Sequence, residues 1–240
     1  RRAFVVSQVA LAFVLLLSAG LLLVSFQRLL AVDPGFSAEH VLTGHLTPIE
    51  SRSPDDAALR AYAARVVARL RSLPGVEHAG VTSFLPFSFH NSSSVIIPEG
   101  YVPGPGESVV SPHQLYVTAG YLEAMRVPLR RGRFFTDSDT AGAPRVIIID
   151  ERLAERFWPG LDPIGRRMYQ PQSPEALLNP GPDTEYMQVV GVVAPVKLRG
   201  LVEGEDARAG AYYIPYDQSP RRSLGFAIRT HGDGPLGTAA

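Results

Sequence analysis

Few side chains in this 240-residue sequence have the types and spacing that chemistry needs. His40 and His45 flank the start of an alternating stretch, with Glu39 adjacent. Metal ligands must converge on one point, and a spacing of five along a strand sends the two imidazoles to opposite faces, so this set does not read as a metal site. Asp137 and Asp139 hint at a cation, but capping a turn is the better reading of Asp137-Ser138-Asp139-Thr140. His90, Asn91 and the serines at 92–94 could line a polar pocket, although their composition reads first as a loop. Trp158 reads as a core anchor at a helix end rather than as a ligand platform.

Recognised catalytic spacings do not occur. There is no Gly-x-Ser-x-Gly elbow and no His-Glu-x-x-His. Gly104-Pro105-Gly106 lacks the strand–turn–helix setting of a phosphate loop, and no Gly-Lys-Ser/Thr follows any glycine-rich turn, so this chain is not itself an ATPase. With no acid–base pair or nucleophile set, the sequence is not read as an enzyme, and no cofactor or metal is expected. The 23 basic and 23 acidic side chains cancel, without the basic stripe that nucleic acid binding favours. There is no cysteine, hence no disulfide framework and no thiol chemistry.

The elements that would position these residues begin with an anchor. Arg1 and Arg2 precede 24 residues, Ala3 to Phe26, without a charged side chain. At about 1.5 Å per residue this stretch is about 36 Å long, enough to cross a hydrocarbon core of about 30 Å. A cleaved signal peptide would have a shorter apolar core and a small-residue cleavage site. A buried core helix would show a polar face. A transmembrane helix is the favoured reading, and Arg1 and Arg2 place its start in the cytoplasm by the positive-inside rule, with the remaining domain on the other side. No Gly or Pro interrupts the chain from Ser25 to Val32, and Asp33-Pro34-Gly35 stops it. A helix over 4–32 would be about 43 Å long, so about 13 Å would emerge from the core as a stiff stalk containing Leu29 and Leu30 and ending at Asp33 and Pro34. Ser7, Ser18 and Ser25 fall within about 20° of one another around the helix. Either they form a packing face against another transmembrane helix, or each hydroxyl bonds back to its own backbone.

Beyond the stalk about 205 residues remain, enough for one large domain or two small ones with a core of their own. Strands are expected at 41–46, 76–83, 113–118, 145–149, 165–169, 187–193, 211–214 and 224–230, with a further one at 92–97. Helices are expected from the Ser53-Pro54-Asp55-Asp56 start through Leu70, over 119–125 and over 150–157, and Gly132-Arg133-Phe134-Phe135 as a bend. The pattern is α+β, with a strand–helix–strand unit at 41–83.

These segments together resemble a known family. Arg1-Arg2-Ala3 through Ser25-Phe26 with Val32-Asp33-Pro34-Gly35-Phe36, then Leu73-Pro74-Gly75-Val76-Glu77, Gly120-Tyr121-Leu122, and Gly132-Arg133-Phe134-Phe135 with Asp139-Thr140 fit its pattern. The most specific block is Arg156-Phe157-Trp158-Pro159-Gly160 with Asp162-Pro163-Ile164-Gly165-Arg166, and Val189-Val190-Gly191-Val192-Val193 followed by Arg199-Gly200-Leu201 completes it. The chain resembles the MacB-like periplasmic core domain of FtsX-like ABC transporter permeases, in the duplicated orphan form found in Acidobacteria. Pro195 departs from the pattern, since the family commonly carries an acidic residue there.

The resemblance implies a transmembrane helix and stalk at 1–36, then a periplasmic core domain at 37–240 truncated before the remaining transmembrane helices. It implies two outer lobes, a porter-like one of strand–helix–strand units over 41–84 and 113 onward, and a smaller inserted one near 85–112. It also implies the cell inner membrane as location, with the main domain in the periplasm or extracytoplasmic space. The implied partners are a cytoplasmic ABC ATPase subunit, further transmembrane helices of the same permease, a second permease unit in a dimer, and membrane lipid. The resulting expectation is a permease subunit of an export or mechanotransmission system that relays ATP hydrolysis outward. A single-pass anchored sensor or binding module is the alternative, and an anchored hydrolase a third.

Overall fold

The computed structural model describes residues 1–46, 55–88, 92–104, 107–173, 177, 179–201 and 209–231. The expectations for Ser53, Pro54, His90, Asn91, Pro105 and Gly106 lie outside these residues. The chain divides into two compact units, Arg1–Pro34 and Gly35–Ala240.

The first unit is a single helix, α1 (Arg2–Leu30), with no acidic residue in its first turn, Arg28 in its last, and no buried residue. Among the described residues it is the one helix long and apolar enough to cross a membrane. The helix closes two residues earlier than the expected Val32. Ala31 still donates to the Gln27 carbonyl at 3.1 Å, but Val32 turns back to Leu29 at 3.2 Å. Pro34 keeps the helix from resuming, because proline disfavours helical backbone in the residue before it and has no N–H to extend the ladder.

Among the described residues of the second unit, ten strands form one mixed sheet. In chain order they are β1 (Val41–Leu46), β2 (Val76–Thr82), β3 (Ile97–Pro98), β4 (His113–Val117), β5 (Leu129–Gly132), β6 (Val146–Asp150), β7 (Arg167–Tyr169), β8 (Tyr186–Val193), β9 (Ala211–Pro215) and β10 (Leu224–Thr230). The helices are α2 (Asp56–Arg71), α3 (Tyr121–Ala124) and α4 (Glu151–Phe157). The spatial order is β1-β10-β2-β4-β9-β6-β8-β7-β3, with β5 on β8.

The strand–helix–strand unit is present but split. β10 lies antiparallel between β1 and β2, so the strands joined by α2 run parallel without touching. Helix α2 starts where Asp55 accepts a hydrogen bond from the Ala58 amide at 2.7 Å, and Arg69 and Arg71 meet the negative end of its dipole. Leu59, Ala63 and Val67, spaced by four, are its buried stripe. Burial of Leu59 and Val67 stabilises the helix by about 1.5–3 kcal/mol each.

The central strands are covered on both faces. Ile147 and Ile149 of β6 enter one core cluster with Tyr212 and Ile214 of β9, while Val146 and Ile148 enter a second with Ala211 and Tyr213. This explains why these strands read as continuous apolar runs rather than as alternating ones. β4 and β9 are parallel, as are β6 and β8. Between β2 and β4 a single register pair, Thr82 with Val117, joins the two parts of the sheet. Side chains reinforce that joint: the Val81 amide donates to Thr118 Oγ1 at 2.9 Å and the Tyr116 amide to Ser83 Oγ at 3.2 Å.

Two local features differ from expectation. β5 (Leu129–Gly132), not expected as a strand, pairs with β8 with all four of its residues exposed, and the bend expected at 132–135 begins at its last residue, Gly132, with a φ of 72°. The backbone of β5 bonds without a buried side chain, which leaves no hydrophobic period to read. In the stretch 92–97 only Ile97–Pro98 forms a strand, on β7, while Ser93 makes an isolated bridge to His113.

Candidate functional site

The residues first considered for chemistry are mostly structural. Asp139 is buried, accepts from the Thr136 amide at 2.8 Å, and takes a two-pronged ion pair from Arg133 at 2.8 and 2.9 Å. Burial raises its carboxyl, but Arg133 and the Thr136 amide outweigh that and hold it below the ordinary range. It caps a turn, as its spacing suggests. Asp137 does not join it in a cation site; it pairs with Arg71 at 3.0 Å. Trp158 is buried, edge-on to Phe157 with centroids 6.1 Å apart. His45 lies in β1, whereas His40 precedes it with a φ of 56°. Among the described residues no group of three or more His, Asp or Glu side chains is placed to hold a metal ion. In α1, Ser7 Oγ donates to the Phe4 carbonyl at 3.0 Å, the self-bonding arrangement, while Ser18 and Ser25 lie on the exposed helix surface.

The most elaborately built polar site is one that sequence spacing does not mark. It holds residues 35–40, the first of the outer unit. Gly35 has a φ of 82°, and a Cβ there would lie 2.1 Å from the carbonyl oxygen of Pro195. Only glycine combines that backbone with that approach. Pro195, the departure from the family pattern, is therefore a contact of the lead-in segment. Phe36 packs on the second core cluster with its ring 5.9 Å from that of Phe87. The Ser37 amide donates to the Met125 carbonyl at 2.9 Å, and the Thr230 amide to the His40 carbonyl at 3.1 Å.

Arg229 of β10 ties this segment down. It is the largest fully buried side chain, with no exposed surface. Its Nε donates to the carbonyl of Ala124, its Nη1 to that of Glu39 and its Nη2 to that of Ser37, each at 2.7 Å. One planar cation thus joins the lead-in segment, the end of α3 and strand β10. The five-donor guanidinium fork suits this task; an ammonium would not span three divergent carbonyls. Burial lowers its pKa, and neighbouring Arg126 lowers it further, while the carboxylates of Glu77 and Glu39 oppose both. The available sequence signal is one charged residue inside an otherwise apolar strand.

A second buried group lies in the middle of the sheet. Asp150 ends β6 and caps α4, accepting from the Leu153 amide at 3.0 Å and from the Ala211 amide of β9 at 2.9 Å. Burial raises its carboxyl to about 7 although both amides pull the other way. Neither site places an acid, a base and a nucleophile together. Both lock backbone to backbone.

The family described as MacB-like periplasmic core domain matches residues 5–234. Among solved structures, the periplasmic region of MacB from Actinobacillus actinomycetemcomitans is similar to this chain with a TM-score of 0.52 at 14% identity, covering 88% of this chain and 84% of that one. At that identity the likeness is one of fold. The extracellular domain of the noncanonic ABC-type transporter YknZ from Gram-positive bacteria reaches a TM-score of 0.47 at 17% identity, covering 80% of this chain and 84% of that one. No curated protein matches the chain.

Proposed function

The chain belongs to the family of MacB-like periplasmic core domains of ABC transporter permeases, and on that premise we propose that it relays cytoplasmic ATP hydrolysis to an extracytoplasmic domain. Residues 1–36 serve as membrane helix and stalk, and 37–240 as the moving outer domain. Helix α1 holds the protein in the inner membrane with its start in the cytoplasm. The ATPase is a separate cytoplasmic subunit, and the face carrying Ser7, Ser18 and Ser25 packs on a further helix of the same permease within a dimer of permease units, the Ser7 hydroxyl staying bonded to its own backbone.

The observation that supports this reading is the fastening of residues 35–40. A domain that is pushed or pulled through its first residues must not let them peel away. Here the segment directly following Pro34 is held by the Arg229 fork, by the Ser37 amide and by strand β1, whose six residues pair with β10. A passive tether would not require a buried cation at its attachment.

The test is reconstitution in lipid nanodiscs with a cytoplasmic ABC ATPase subunit and the partner membrane helices proposed above. Spin labels on Thr43 of two permease copies should change separation between the ATP-bound and nucleotide-free states. Identical distance distributions in both states, with ATP hydrolysis intact, would overturn the proposal.

A further inference from the structure

Beside α2 lies an open cleft of about 330 Å³ that the relay does not use. Its floor is apolar, made by Val67, Val117 and Phe135, all buried. Ala64 and Ala68, exposed on α2, leave the mouth wide. The volume is at the lower end for ligand pockets, about 300–1,000 Å³, and suits a group the size of one side chain.

The charges around the cleft do not balance. Arg71 is its one cationic lining residue, and its donors are taken: Nη1 by Asp137 at 3.0 Å, Nη2 by the Ala119 carbonyl at 2.7 Å and Nε by the Ala79 carbonyl at 3.4 Å. Asp139 is neutralised by Arg133. Asp217 is not matched in this way. Arg60 stands beside it, but its Nε donates to the backbone carbonyl of Asp217 at 2.7 Å and its Nη2 approaches Asp56 at 3.6 Å. Among the described residues no hydrogen-bond donor reaches the Asp217 carboxylate. Burial and the charge of Asp137 both raise its carboxyl, against the pull of Arg60. This half-buried carboxylate over an apolar floor feels the charge of Arg60 but, among the described residues, makes no direct ion pair or hydrogen bond.

We propose that this cleft binds a small organic cation, an ammonium or guanidinium on a short apolar stem, with the stem on the Val67, Val117 and Phe135 floor and the head at Asp217. An anion would meet three carboxylates and an arginine already engaged. A bare metal ion would meet apolar walls and too few oxygen ligands. A neutral apolar guest would seal Asp217 from water without a partner.

The test uses the full chain in nanodiscs, labelled at alanine methyl groups and titrated with n-pentylammonium. Ala64, Ala68 and Ala119 line the cleft, so their methyl resonances should shift saturably while that of buried Ala227 stays fixed. Neutral 1-pentanol should bind about tenfold more weakly, as should pentylammonium to Asp217→Asn. Ala68→Leu, which fills the mouth from an exposed helix position, should abolish the shifts without disturbing the fold. A capped Ala-Lys-Ala peptide is the second ligand; its rank against the free amine names the source of the cation, a protein side chain or a small molecule, and either rank supports the proposal. No saturable shift with either ligand, equal binding of pentanol, or undiminished binding to Asp217→Asn would overturn it.

Discussion

The Nη2 of Arg229 donates to the backbone carbonyl of Ser37 at 2.7 Å, a contact that closes 192 residues of chain. With its partners at Glu39 and Ala124 it leaves no donor face of the guanidinium free for solvent. Replacing Arg229 by Met keeps the volume but strands three carbonyls. We expect Arg229→Met to lower stability by about 3 kcal/mol, since each unpaired buried polar group costs about 1–3 kcal/mol and local relaxation recovers part of that. Arg229→Lys should lose less, because one charged donor remains, yet more than a surface Arg-to-Lys change. Guanidinium unfolding followed by fluorescence of Trp158, the single tryptophan, measures both. A midpoint unchanged in Arg229→Met would remove the clamp from the account.

Gly35→Ala tests the same attachment from the backbone side. The substitution puts a Cβ 2.1 Å from the Pro195 carbonyl oxygen in a residue with a φ of 82°. The left-handed backbone alone costs about 1–2 kcal/mol for a non-glycine residue. The segment should lift, so the Ser37 amide, bonded to Met125 in the wild type, should exchange with solvent at least about tenfold faster. The amide of Ile148, in the buried middle of β6, should keep its protection. Unchanged exchange at Ser37 would show that the segment tolerates the displacement.

Much of this architecture is legible in residues. The stripe Leu59, Ala63, Val67 announces α2, and the runs Val146–Asp150 and Ala211–Pro215 announce buried strands. Pro34 and Pro74-Gly75 mark where α1 and α2 stop. What escapes is non-local. β5 has no buried residue and exists through its partner β8. The insertion of β10 between β1 and β2 is set by a strand about 140 residues later in the chain, which no local period encodes. The clamp is hidden for the same reason: Arg229 gives its three hydrogen bonds to carbonyls, and every residue type carries one. The cleft depends on Asp217, in the 3-10 turn after β9, and Asp137, in a turn about 80 residues earlier, converging.

Acidity should reveal Asp150. Burial raises its carboxyl from 3.8 to about 7. A folded-state value above the unfolded one means the native protein binds the proton more tightly. The resulting stabilisation is full below about pH 3.8 and is lost as pH rises through about 7. Asp139, held below its ordinary value, acts in the opposite sense: its contribution is present above 3.8 and lost in acid. Between pH 5 and pH 8 Asp139 stays ionised, and comparing unfolding midpoints with those of Asp150→Asn cancels the groups common to both proteins. The wild type should lose stability across that interval. Asp150→Asn should show a flatter profile and a lower midpoint at pH 5, because an amide there cannot accept from both Leu153 and Ala211. Parallel profiles for the two proteins would assign the pH dependence elsewhere.

The relay itself is tested at Leu29. Helix α1 runs through Leu30, so Leu29→Pro removes one intrahelical hydrogen bond and sets the ring against the Ser25 carbonyl, a cost of about 3 kcal/mol that the helix meets by kinking or ending early. Leu29→Ala, which keeps helical propensity, is the control. If motion passes through this segment, the proline protein reconstituted with its ATPase should still hydrolyse ATP but should lose the nucleotide-dependent change in Thr43 separation. The alanine protein should retain both. The guanidinium unfolding midpoint read from Trp158 should be the same in all three, because the substitution lies in the first compact unit and Trp158 in the second. That combination separates loss of transmission from loss of folding. A proline protein that keeps the full nucleotide-dependent movement would show that Leu29, Leu30, Asp33 and Pro34 connect the domain to the membrane without carrying motion to it.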